Sequence, residues 1–74
     1  MTIHSWYKAN RYYRINLCQD LFGDWVIIRA WGSLTSRAGR VVSEWVTDEW
    51  TGQRKVSEIS KKRLAHGYVK SLIN

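Results

Sequence analysis

A chain of 74 residues has room for one domain, and at that length only about 60% of the surface exposed by the unfolded chain is buried on folding. Twelve Lys and Arg against six Asp and Glu give a net charge of +6 and a pI near 9.9, a balance that favours polyanionic partners, nucleic acid ahead of anionic membrane. The single cysteine excludes an internal disulfide framework, and Cys18 with the distant His4 and His66 matches no zinc spacing.

The N-terminal stretch MTIHSWYKANRYYR lacks the apolar segment of a secretory signal, and nowhere do about 18 apolar residues run together as a membrane span requires. The expectation is a cytoplasmic protein with no membrane partner. IHSWYK, at residues 3–8, reads as a short additional strand. Residues 12–17, YYRINL, alternate cleanly, with Tyr13, Ile15 and Leu17 on one side and Tyr12, Arg14 and Asn16 on the other.

After CQDLFGD comes WVIIRAW, residues 25–31, rich in β-branched and aromatic side chains, and Gly23 with Asp24 supplies turn chemistry for a hairpin. A loop of two or four residues places Val26, Ile28 and Ala30 beside Ile15 and Leu17 as an aliphatic core face. Arg14, Asn16, Trp25, Ile27, Arg29 and Trp31 then share the outer face. GSLTSRAG has loop composition, and RVVSEWV, residues 40–46, resumes a β pattern as a third strand, with Trp45 on the side of Val41 and Glu44 on that of Val42.

Positions 47–52 contain cap-type residues. From about Gln53 to Ala65 the spacing of Val56, Ile59 and Leu64 predicts an amphipathic helix, ended by Gly67 and with Lys61, Lys62 and Arg63 near its negative pole. The fold class expected is α+β, an antiparallel sheet of three to four strands with one C-terminal α-helix packed on one face. Charge is segmented: residues 1–28 carry +1, 29–40 carry +3, 41–50 carry −3 and 51–74 carry +5.

No acid/base pair or activated nucleophile is recognisable, since Asp48 and Glu49 are merely adjacent and Cys18 has no evident base; no enzyme activity, cofactor or metal is expected. Residues 29–40, RAWGSLTSRAGR, lack the terminal Gly-Lys-Ser/Thr of a phosphate-cradling loop. Trp31 reads either as cover for the sheet or as an exposed stacking surface, and Arg29, Arg37 and Arg40 either as solvated charges or as phosphate contacts. Lys61, Lys62, Arg63 and Lys70 read as solubilising charges, and Trp6, Trp45, Trp50 and Tyr68 as packing residues.

The ordered landmarks are Tyr12 and Tyr13 before a strand, an acidic turn at residues 20–24, a strand ending in RAWG, a small-residue loop with Gly39, and a helix closing in HGY at residues 66–68. Together they resemble the WGR domain, named for a Trp-Gly-Arg signature and found in DNA-dependent poly(ADP-ribose) polymerases and in bacterial proteins. The resemblance covers roughly residues 10–68 of a single domain spanning 1–74. It implies a sheet with a helix packed on it and a DNA contact in which the signature tryptophan packs on a terminal sugar. Trp31 and Gly32 match the signature; Ser33 stands where it has arginine, and Arg29, Arg37 and Arg40 are the candidates to stand in for it.

The function expected is a small nucleic-acid-binding module acting on DNA, ahead of RNA, at ends, breaks or single-stranded stretches, with Trp31, Gly32, Arg14, Arg29, Arg37 and Arg40 as contacts. The alternative is a protein interaction module that docks a partner on the outer face through Trp25, Ile27 and Trp31.

Overall fold

The computed structural model describes residues 2–71. Five antiparallel strands form one sheet: β1 (Thr2–Lys8), β2 (Arg11–Gln19), β3 (Trp25–Ser33), β4 (Gly39–Val46) and β5 (Val69–Lys70), in the spatial order β4-β3-β2-β1-β5. The first four make a meander. The helix α1 (Glu49–Ala65) then crosses one face of the sheet and delivers β5 to the far edge, beside β1. The α+β class is as expected, with five strands in place of three or four.

The N-terminal segment pairs along its whole length, from Thr2 opposite Leu17 to Lys8 opposite Arg11. The two-residue turn that closes this hairpin, Ala9 and Asn10, puts Ala9 in the left-handed region at φ 52°. β5 has only two residues and was not expected.

The register between β2 and β3 corrects the expected faces. Five residues, 20–24, connect the strands, an odd number, so Leu17 stands opposite Ile27, Ile15 opposite Arg29 and Tyr13 opposite Trp31. A slip of one residue moves every side chain of a strand to the other face. Asp20 organises this loop: its Oδ1 accepts from the Phe22 and Asp24 backbone N–H groups at 2.9 and 3.0 Å, while Gly23 supplies a φ of 84°.

The core therefore consists of Trp6, Tyr13, Ile15, Leu17, Ile27 and Val56, with Trp25, Trp31, Val46, Ile59 and Tyr68 packed around it. Val26, Ile28 and Ala30 lie on the opposite face, which no helix covers, although Val26 is buried there as expected. Trp6 and Ile27 are fully buried, Trp6 as the packing residue it was expected to be. Trp45 and Trp50 depart from that expectation, being 77% and 66% exposed, and Leu64 too lies outside the core. Trp50 instead holds the guanidinium of Arg54 4.9 Å from its ring centroid.

The helix begins four residues earlier than Gln53 because Asp48 caps it, accepting the Thr51 backbone N–H at 2.7 Å. It ends where expected. Gly67, at φ 88°, donates to the Leu64 carbonyl, and Tyr68 donates to that of Arg63, a pair of bonds that closes the last turn. Gly52 is the point of closest approach to the sheet: a Cβ there would lie 2.6 Å from Leu17 Cδ1.

Candidate nucleic-acid interface

The β3–β4 connection is built around a pair of glycines. Gly32 stands opposite Gly39, and the Tyr12 hydroxyl lies 3.2 Å from where a Cβ of either would be. At Gly32 the Ala38 carbonyl is closer still, at 2.8 Å, so the glycine that follows Trp31 is required by backbone approach.

Ser33 braces the loop. Its Oγ accepts from Asn10 Nδ2 at 3.4 Å and from the Thr35 backbone N–H at 3.2 Å, and lies 3.1 Å from Thr35 Oγ1. Asn10 also donates to Thr35 at 3.2 Å. The turn between β1 and β2 is thereby tied to the loop that carries Arg37.

Trp31 is half-buried and stacks on Tyr13, with ring centroids 5.6 Å apart and planes 11° from parallel. One part of Trp31 packs against the core and another lines a cleft of about 280 Å³ shared with Arg11, Tyr12, Gly32, Ser33, Ala38 and Tyr68. Tyr13 in turn meets Tyr68 edge-on at 6.4 Å. Arg63 from α1 sets its guanidinium 4.3 Å from the Tyr13 centroid and 5.3 Å from that of Tyr68, so it is an aromatic-stacked brace and not the solvated charge expected.

The remaining expected contacts separate. Arg40 stands opposite Trp31 and is exposed, and Arg37 is exposed in the adjoining loop, so both border the cleft end of the sheet. Arg29 is a correction: it lies on the helix side, half-buried, its Nε enclosed with no hydrogen-bond partner among the described residues. Arg14 is another, for it stands on the face away from Trp31, 5.4 Å from the Tyr12 centroid. The interaction face proposed for Trp25, Ile27 and Trp31 is likewise not free, since Ile27 is completely buried beneath α1.

Arg11, Tyr12 and Tyr68 line the cleft and were not expected there. The signal lay in the β1–β2 turn, whose two residues put Arg11 level with Ser33, and in Gly67, whose reversal brings Tyr68 back to the sheet. Two ionisable groups elsewhere are shifted. His4, stacked at 5.8 Å on Trp6, is lowered below its usual 6.5 by burial first and by the charge of Lys70 second. Asp48 is held below the ordinary carboxylate value mainly by the backbone N–H of Thr51.

Among the described residues no group of three or more His, Cys, Asp and Glu is arranged to hold a metal ion, and no helix is long and apolar enough to cross a membrane. Comparison of the chain with protein-family models, curated proteins and solved structures finds no match.

Proposed function

We propose that this protein is a small nucleic-acid-binding module that receives DNA, at ends, breaks or single-stranded stretches, in the Trp31 cleft. The observation that carries the reading is the company the cleft keeps: the rings of Trp31 and Tyr68 beside Arg11, with Arg37 and Arg40 on the adjoining loop and strand. An aromatic surface gains about 1–3 kcal/mol per stacked base, and guanidinium groups suit phosphate oxygens. The net charge of +6 adds long-range attraction. The resemblance to WGR domains points the same way.

Fluorescence anisotropy with blunt, nicked and single-stranded oligonucleotides at two salt concentrations tests the reading. Neutralising about three to five phosphates gives a log–log salt slope near −3 to −4.5 on duplex DNA. Absence of binding at low salt refutes it.

A protein partner is the second reading, moved to a different surface. Leu21 and Phe22 at the tip of the β2–β3 loop are 100% and 89% exposed, and Asp20 and Asp24 flank them. That acidic, apolar tip repels a polyanion and suits a protein. A Phe22→Ser variant that keeps its DNA affinity yet loses a co-purifying protein favours this reading.

A further inference from the structure

We propose that β4 is a dimerisation strand, through which two copies of this chain join edge to edge and antiparallel, with Val42 on the two-fold axis. The inference does not rest on the nucleic-acid reading. It begins from the edges of the sheet. β5 leaves a two-residue edge, whereas β4 pairs with β3 in unbroken register over eight residues and, among the described residues, has no strand on its other side. The chain contains no proline, and β4 has no bulge, so two common guards of a free edge are missing.

The side chains on this edge are apolar where solvent meets them. On the face away from α1, Val41 is 70% exposed and Trp45 77%. α1 packs chiefly over β2 and β3 and meets β4 on one face, through the 2.6 Å ion pair between Lys55 and Glu44 Oε2 and the approach of Gly52 to Val46.

What selects a second copy as the occupant is the order of charges along the strand. A two-fold axis through Val42 sets each residue against the one equally far on the other side: Arg40 against Glu44, Val41 against Ser43, Gly39 against Trp45. Symmetry makes the Arg40–Glu44 pair twice, on the helix side of the sheet. Lys55 takes one oxygen of Glu44, and a carboxylate has a second to offer. On the other face Trp45 stands opposite the partner's Gly39, which Tyr12 already flanks, and reaches Val41 on the diagonal, an aromatic contact with a β-branched side chain of the kind that stabilises paired strands. Charges usually discourage edge pairing; these two are opposite in sign and spaced to match.

The joined edge is small, so the dimer is expected in the micromolar range. Sedimentation equilibrium near physiological salt, where the Debye length is about 8 Å, is expected to show the wild-type chain in reversible monomer–dimer exchange. Arg40→Glu and Glu44→Arg each set like charges face to face and are expected to weaken the dimer at least tenfold. Mixing the two variants in equal amounts restores it, because both pairs are then opposite in charge. A wild-type chain that stays monomeric to about 1 mM overturns the proposal, and so does a mixture no more dimeric than either variant alone. A second measurement is independent of those charges. In a Cys18→Ser background, Val42→Cys is expected to form a symmetric disulfide under mild oxidation, since facing strand residues have Cα atoms about 4.5–5.5 Å apart. Faster cross-linking of Ser43→Cys overturns the Val42 axis.

Discussion

Arg63 reaches from the last turn of α1 to place its guanidinium 4.3 Å from the centroid of the Tyr13 ring. Tyr13 is itself buried in the sheet and stacked on Trp31, so this one contact ties the helix end to the floor of the cleft. A partly desolvated cation–π contact is worth about 0.5–2 kcal/mol, and an Arg stem adds packing. Arg63→Ala is expected to lower the unfolding free energy by about 1–2 kcal/mol in urea titration. Arg63→Lys recovers little, lacking the planar group that stacks. Lys61→Ala, on the exposed side of the same turn, stays within about 0.5 kcal/mol of wild type.

Ala9 occupies a conformation that suits glycine better. At φ 52° an L side chain crowds its own carbonyl by roughly 1–2 kcal/mol, partly offset in a glycine variant by the greater freedom of the unfolded chain. Ala9→Gly is expected to raise stability by about 0.5–1 kcal/mol. Thermal denaturation followed by circular dichroism reads this as a higher midpoint.

Helix and sheet meet most closely at Gly52. Alanine is the better helix former by about 1 kcal/mol, but its Cβ would stand 2.6 Å from Leu17 Cδ1, and overpacking of that kind costs about 1–3 kcal/mol. Gly52→Ala is therefore expected to be neutral to destabilising by up to about 2 kcal/mol, against the propensity scale. Coupling identifies the cause: in a Leu17→Ala background, where the space is vacated, Gly52→Ala becomes stabilising. Additivity of the two substitutions would show that the contact is relieved elsewhere.

Much of this arrangement is legible along the chain. β2 alternates because its core side is Tyr13, Ile15 and Leu17, and Val56 and Ile59 mark the helix face. The facing of β3 was not legible, for a physical reason: WVIIRAW offers apolar side chains on both sides and an arginine on one, so its own pattern does not choose. The choice is made by the loop, where the Asp20 carboxylate holds five residues in place of an even number. Exposed Trp45 escaped for the same reason, since both sides of β4 carry apolar residues. Arg63 looked like any basic residue at a helix end until Tyr13 and Tyr68 were brought on either side of it.

His4 makes stability depend on pH. Burial, and then Lys70, lower its proton affinity in the folded state, so the unfolded chain binds the proton more readily. The stability linked to His4 is complete above the ordinary histidine value of 6.5 and declines as pH falls below it. His4→Gln removes the titrating group, and its melting temperature is expected to vary less than that of wild type between about pH 7 and pH 5. Equal slopes for the two chains would assign the acid sensitivity to other groups.

On the proposed nucleic-acid reading, the positions of the arginines divide their expected effects. Arg11 lines the cleft and Arg37 stands exposed in the loop beside it, whereas Arg14 lies on the far face against Tyr12. Each phosphate contact removed should lessen the salt slope by about 0.9 on duplex DNA. Arg11→Ala and Arg37→Ala are expected to weaken binding and flatten the slope by about that amount each, while Arg14→Ala leaves it unchanged. Trp31→Phe separates stacking from charge: the smaller ring keeps the contact with Tyr13 yet offers less surface to the cleft, so affinity falls while the salt slope holds. Anisotropy titrations at several salt concentrations distinguish the two. Equal loss from Arg14→Ala and Arg37→Ala would mean that attraction comes from the whole charged surface and not from the cleft.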